Sequence, residues 1–410
     1  MTRKTIVIII GVVLVIAVGV LCWFLFFNKI TVPATTNTDA GLPFGQGWDN
    51  TPVGDSGTTN TSSNTSVGLD TQGKPVARLF QVSNEPVAGM VAFNKKSGET
   101  IVRFVDRATG HLYDVNPVTL EKIQITNNTF PKTVEALFKN NGSSVILRGL
   151  KDNSDLIENI SLILTAPKST STESLYAVKA TNLLGNIGDM AIGPTNLIAY
   201  VLKDSGSIAV LAFDGSKNTN LFSSGFTDWK ISWPNSNQIT LVTKSSSAVD
   251  GFAYNLNAST GSLTKILGPM NALTLIQSSD GKRIAYSYNS NNKTTFSFEN
   301  LVDKSTNEIL PTTFADKCVW SKKSVGVLYC GTPNENIDSN EPDGWYQGIV
   351  SFSDQIWRFN TITATSELLS DPKKDTDLKI DMENLSLSPN EDYLFFMNKN
   401  DLTLWALKLQ

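Results

Sequence analysis

One histidine, His111, serves 410 residues. That scarcity removes most zinc sites and the usual imidazole general bases at once. Cysteine is confined to Cys22, Cys318 and Cys330, and charged residues make up only 18% of the chain. So little charge argues against long solvated helices. The abundance of Ser, Thr, Asn and Gly suits short strands joined by polar turns. The net charge of −4 and pI near 5.3 provide no field to attract a polyanion, so nucleic acid is excluded as a partner.

Charge is wholly missing from "TIVIIIGVVLVIAVGVLCWFLFF" (Thr5–Phe27). At 1.5 Å per residue this run reaches roughly 35 Å, enough to cross a bilayer core of about 30 Å. Arg3 and Lys4 precede it, which places the N-terminus in the cytoplasm and exports the remainder. A cleaved signal would have a shorter apolar region ending in small residues, whereas this one ends in "WFLFF". Leu21 is too bulky before Cys22 for a lipoprotein signal. Residues 1–30 therefore read as a cytoplasmic stub and signal-anchor helix, in contact with the membrane through residues 5–27. Residues 31–75, rich in Thr, Ser, Gly and Asn without helix or strand period, read as a flexible tether.

From residue 76 to 410 the texture changes to short apolar runs broken by turn chemistry. Seven segments share a strand–tight turn–strand grammar, among them "LIQSSDGKRIAYSY" (Leu275–Tyr288) and "LSLSPNEDYLFFM" (Leu385–Met397). Their turns centre near residues 97, 141, 194, 236, 280, 322 and 390. The spacing is about 42 residues with two insertions, the length of one four-stranded propeller blade. A second signal follows the hairpin in several units: "YDVNPVT" (Tyr113–Thr119), "YNLNAST" (Tyr254–Thr260) and "WRFNTIT" (Trp357–Thr363). Asn and Thr at that spacing bond nearby backbone N–H groups and fix the turn between third and fourth strands. "VDKSTNEI" (Val302–Ile309) reads as a degenerate copy with Asp303 at the Asn position and Thr306 at the Thr position. The fold class expected is all-β, a seven-bladed propeller of four-stranded antiparallel blades preceded by one transmembrane helix. The last unit supplies three strands, so "VARLFQV" (Val76–Val82) is expected to close the ring as its fourth.

The hairpins at Ser279–Ala285 and "LSPNEDYLFF" resemble the TolB-type, WD-like propeller repeat, whose turn has the form Ser-Pro-Asp-Gly-Lys. The resemblance is one of repeats. It implies a propeller that serves as a platform for partners and carries over no active site.

Few side chains suggest chemistry. "GDSG" (Gly54–Gly57) has the letters of a serine-protease motif, but it lies in the tether and precedes the single histidine, opposite to that family's order. Glu135 and Arg148 stand in otherwise apolar strands of one hairpin, either as a pair tying strands together or as a channel-facing ligand site. His111 follows a turn and is open to hydrogen bonding at the ring surface. The acidic run "NENIDSNEPDG" (Asn334–Gly344) lacks the offsets of an EF-hand and reads as a solvated loop. No metal and no cofactor is implied.

The insertion Gly331–Asp354 puts Trp345 and Tyr346 beside that run. At least one ring is expected to be accessible as a binding anchor; the alternative is that both fold back as a plug. Cys318 and Cys330 lie on two arms of one hairpin, on the same face. Only the directly opposite register would allow a disulfide in an exported domain; a diagonal register leaves two thiols. The functional expectation is an extracytoplasmic, membrane-anchored module that binds a protein or glycan partner. The alternative is a glycan-acting hydrolase or lyase with convergent carboxylates at the channel mouth.

Overall fold

The computed structural model describes residues 77–151, 156–168 and 174–409. They form seven four-stranded antiparallel sheets, each hydrogen-bonded in simple chain order except the last. Blades 1 to 6 span residues 87–124, 135–182, 187–223, 229–271, 274–308 and 318–370. Blade 7 takes strands from residues 382–408 and a fourth from Leu79–Gln81. The first strands of successive blades approach one another around the ring and line its axis. The expected membrane helix and tether lie outside the described residues. Among the described residues no helix is long and apolar enough to cross a membrane.

Seven apolar clusters hold the ring, one in each gap between neighbouring blades. A sheet covered on both faces cannot follow the polar–apolar alternation of a half-exposed one. The second strand of blade 7, Tyr393–Asn398, accordingly is buried at every position. The outermost strand Thr306–Glu308 of blade 5 is exposed throughout, and its residues are correspondingly polar. Each seam between blades buries large side chains such as Phe104, Phe296 and Phe395 completely.

The ring closes through residues from both ends of the domain. Leu79, Phe80 and Gln81 pair with Leu407, Ala406 and Trp405. The Phe80 ring, 2% exposed, packs edge-on against Tyr393 and joins the cluster between blades 7 and 1. Without this strand, Leu404–Lys408 would present an unpaired edge.

The repeated Asn turn also has its physical account. Asn116, Asn257 and Asn360 each accept two backbone N–H bonds from the next turn residues. One residue later in each turn, at Leu120, Gly261 and Ala364, the backbone enters the left-handed region. Blade 5 follows the same geometry, but the expected alignment is displaced by three residues. Asn300 takes the Asn position, accepting from Val302 N, and Lys304 takes the left-handed one. Asp303 occupies the Thr position, where its carboxylate accepts from Ser305 N as Thr260 Oγ1 accepts from Ser262 N.

Candidate functional site

The antiparallel order of each blade fixes two faces. The turns within the first and last hairpins lie on one face; the loops between second and third strands, and the connectors between blades, lie on the other. The insertion of blade 6 sits on this second face, between Val327–Pro333 and Asp354–Asn360. It turns inward and caps the channel mouth. Its acidic residues act as fasteners: Glu341 accepts from Trp345 N at 2.7 Å, and Asp343 accepts from Ser247 N in blade 4. The Asn289 amide of blade 5 donates to the Ser339 and Glu341 carbonyls. Phe314, Trp345 and Phe352 form a small apolar core beneath the cap.

Under that core lies a buried ion cluster. Lys317 precedes the inner strand of blade 6, and its ammonium is 2.6 Å from Asp354 and bonded to Asp381 at the entry to blade 7. None of the three side chains exposes any surface. The Trp345 indole Nε1 donates to both Asp381 oxygens at 3.0 and 3.1 Å, and Phe352 N donates to Asp381 Oδ2. The ammonium also lies 4.8 Å from the Trp345 ring centre. Burial pushes the Asp354 carboxyl up to about 6, against the pull of Lys317 and with a push from Asp381.

Beside the cap a cavity of about 510 Å³ remains open, walled by blades 2, 3 and 4 and by Tyr346. Its charged lining residues are Lys203, Lys230, Lys244, Asp189 and Asp228. Asp189 is in its floor. Met190 N and Ile231 N each donate to one Asp189 oxygen, while burial raises its pKa to about 6. Lys230 pairs at 2.6 Å with Asp316, which also accepts a hydrogen bond from the Tyr346 hydroxyl. That relay latches the cap to blade 4. Burial and the Asp316 charge hold the Tyr346 hydroxyl far above its usual range.

The residues singled out in sequence fall into different places. Trp345 is not an accessible anchor; it is 4% exposed because its ring covers Lys317 and its N–H satisfies Asp381. Tyr346 is half-buried and faces the cavity. Glu135 and Arg148 form an ion pair of 2.6 Å, and Arg148 also donates to Asn159 and to the Ile187 and Gly188 carbonyls of the next blade. Blade 1 repeats that device: Arg103 binds Asp114 with two nitrogens and reaches the Gly142 carbonyl of blade 2. Arg148 therefore ties blade to blade, and it touches the site through the Gly188 carbonyl at the cavity wall and through its charge on Asp189.

His111 Nε2 meets Thr129 Oγ1 at 3.2 Å, and its Nδ1 accepts from the Gln124 amide at 3.3 Å; it does not line the cavity. Cys318 and Cys330 pair directly across the hairpin and are disulfide-bonded.

Sequence reasoning does not single out Lys317, Asp354, Asp381, Asp189 or Lys230. Each looks like an ordinary turn or strand-end charge in isolation. A usable signal exists nonetheless: Glu135, Asp189, Lys230 and Lys317 stand at nearly the same offset before the first hairpin turn of their blades. Stacking the repeats places all four at the same channel mouth.

No protein-family model matches the sequence. No curated protein matches it either. Solved structures do: oligogalacturonate lyase from Vibrio parahaemolyticus is 10% identical with a TM-score of 0.53, over 81% of this chain and 93% of that one. The β-propeller domain of the Trilobed protease from Pyrococcus furiosus is 9% identical with a TM-score of 0.51, over 79% and 96%. The tricorn protease is 10% identical with a TM-score of 0.51, over 79% of this chain and 33% of that one. The Pyrococcus furiosus domain is described as having an open velcro topology, whereas here Leu79–Gln81 pairs with the end of the chain. These likenesses carry the fold alone: the chain is a seven-bladed β-propeller.

Proposed function

We propose that the protein is a membrane-anchored binding module whose propeller is displayed outside the cytoplasm and takes its ligand beside the capped mouth. The observation that carries this reading is the cap. Trp345 and Phe352 fill the mouth, and the carboxylates of the ion cluster beneath them, Asp354 and Asp381, are buried against Lys317 where no sugar reaches them. A glycoside hydrolase that works through two carboxyl groups needs that pair open to substrate. The cavity beside the cap stays open and carries several polar groups on a rigid frame, as binding sites do. The uncharged run at residues 5–27 and the preceding Arg3 and Lys4 support the anchor and its orientation. The Cys318–Cys330 bond suits an oxidising compartment. The TolB-like hairpins suit a platform for partners.

Two experiments test the reading. Protease added to intact cells, with any outer membrane permeabilised, should degrade the propeller or clip the tether; full protection would overturn the display. Cross-linking of the full chain in native membranes should capture a partner that Thr227→Trp, which fills the cavity from its rim, no longer captures. Equal capture by both proteins would remove the cavity from the function.

A further inference from the structure

The buried cluster beneath the cap has one carboxyl group more than an ion pair requires. Lys317 faces both Asp354 and Asp381, and none of the three side chains exposes any surface. Two ionised carboxylates would leave a net negative charge in a site closed to water, which is costly. One proton shared between them makes the cluster neutral, and burial with a push from Asp381 raises the Asp354 carboxyl to about 6. Asp354 Oδ1 has no hydrogen-bond partner although its side chain is fully enclosed.

We infer that Lys317 and Asp381 condense into an amide between Nζ and Cγ, an internal covalent link joining the entries to blades 6 and 7.

The two carboxyl groups are placed for different roles. Lys317 Nζ touches Asp381 Oδ1. The Trp345 indole donates to both Asp381 oxygens, and Phe352 N donates to Oδ2 at 3.1 Å. These donors are held by the cap, and they stabilise the charge that develops on Oδ2 when Nζ attacks Cγ. Asp354 meets the same Nζ at 2.6 Å through its Oδ2, which also accepts from Met382 N at 2.7 Å. Asp354 is therefore the group in contact with the amine that takes up and returns protons.

The step begins with the shared proton on Asp381 and Asp354 ionised. The Lys317 ammonium gives one proton to Asp354, and the freed amine attacks Asp381 Cγ. The Nζ–Cγ bond forms and the Cγ–Oδ1 bond breaks. Asp354 hands its proton to the departing Oδ1 hydroxyl, which leaves as water, and takes a second proton from Nζ. The products are an amide, one water and a protonated Asp354; charge is conserved and nothing is oxidised or reduced.

The surroundings favour this outcome. In water the ionised groups are too well solvated to condense, but the Trp345 and Phe352 ring centres lie 4.8 and 5.5 Å from Nζ and exclude solvent. Preformed contact replaces a chance encounter. The Met382 carbonyl, 3.3 Å from Nζ, is an acceptor for the amide N–H.

Mass spectrometry of the full-length protein, purified in detergent and reduced, tests the bond. The chain should weigh one water less than its sequence requires. Denaturing tryptic digestion should leave the chain uncut after Lys317 and yield a branched peptide pair whose fragments place the link between Lys317 and Asp381. Asp354→Asn keeps a neutral Lys317–Asp381 ion pair, so it should fold, and its linked fraction should fall at least ~10-fold. Asp381→Ala should show no water loss and should be cut after Lys317. Wild-type protein cut after Lys317, or a water loss located elsewhere, would overturn the inference without recourse to any variant. A link to Asp354 in place of Asp381, or one undiminished in Asp354→Asn, would overturn the assigned roles.

Discussion

The Lys317 ammonium lies 2.6 Å from an Asp354 oxygen, and neither side chain exposes any surface. With Asp381 beside them, the entries to blades 6 and 7 are joined by one buried cation and two carboxylates. Buried ions are tolerated only when paired, so removing the cation alone is far worse than never having had the cluster. Lys317→Met should destabilise the propeller by about 3–5 kcal/mol. Adding Asp354→Asn and Asp381→Asn to that variant should recover a large part of the loss. Denaturant melts of the variants decide the matter, and a Lys317→Met protein as stable as wild type would contradict this account.

One carboxylate of this cluster and one in the cavity floor set a pH dependence. Asp354 and Asp189 keep their protons up to about 6, against about 3.9 in an unfolded chain. Between those values the folded state holds more protons than the unfolded one. Stability therefore falls as pH rises from about 4 to about 6, then levels off. Each group contributes on the order of 2–3 kcal/mol at most. Asp280 and Asp371, with lowered pKa values, act in the opposite sense as pH falls below about 4, so the comparison belongs above that point. Melting temperatures taken from pH 4.5 to 7.5 should decline, and Asp354→Asn should flatten the slope. A rise across this interval would refute the assignment.

Trp345 is a structural plug. Its truncation to Ala removes the stack on Phe314 and the indole donor to Asp381. The expected cost is about 3–5 kcal/mol. Differential scanning fluorimetry will read this as a drop of several degrees; an unchanged melt would return the ring to the surface.

Ring closure depends on a short strand. Phe80→Ala should cost about 3–5 kcal/mol, since the ring is fully enclosed between blades 7 and 1. Deleting residues 76–82 should cost more, because it leaves the edge Leu404–Lys408 unpaired. Hydrogen exchange will show where: amides of that strand should lose protection first, and equal protection throughout would refute closure by this strand.

The cross-strand bond predicts its own chemistry. Unreduced protein should show Cys318 and Cys330 linked in one peptide pair by mass spectrometry. Cys318→Ser/Cys330→Ser should lower stability by about 2–4 kcal/mol. Two freely alkylated thiols would remove the bond.

Repetition makes the fold legible from the amino-acid sequence alone. Tight turns recurring about every 42 residues, with strands between them, leave few architectures other than a ring of small sheets. The missing fourth strand of the last unit points to the segment before the first. Both inferences work because hairpin pairing and turn chemistry are local, so neighbouring residues carry them. The misplaced turn in blade 5 fails for a related reason: Asp303 and Asn300 both bond backbone amides, and letters alone do not say which sits at which step.

The site is not local, and tertiary structure alone decides it. Lys317, Asp354 and Asp381 are far apart in the chain and meet only because each stands at the channel end of its blade or loop. Trp345 and Tyr346 are adjacent in sequence, yet one is enclosed and the other faces a cavity. The side-chain types chosen for each strand are written residue by residue, but the meeting of charges around the axis follows from closing the ring. That closure brings seven separate segments together, and no pattern within one of them records what the other six will present.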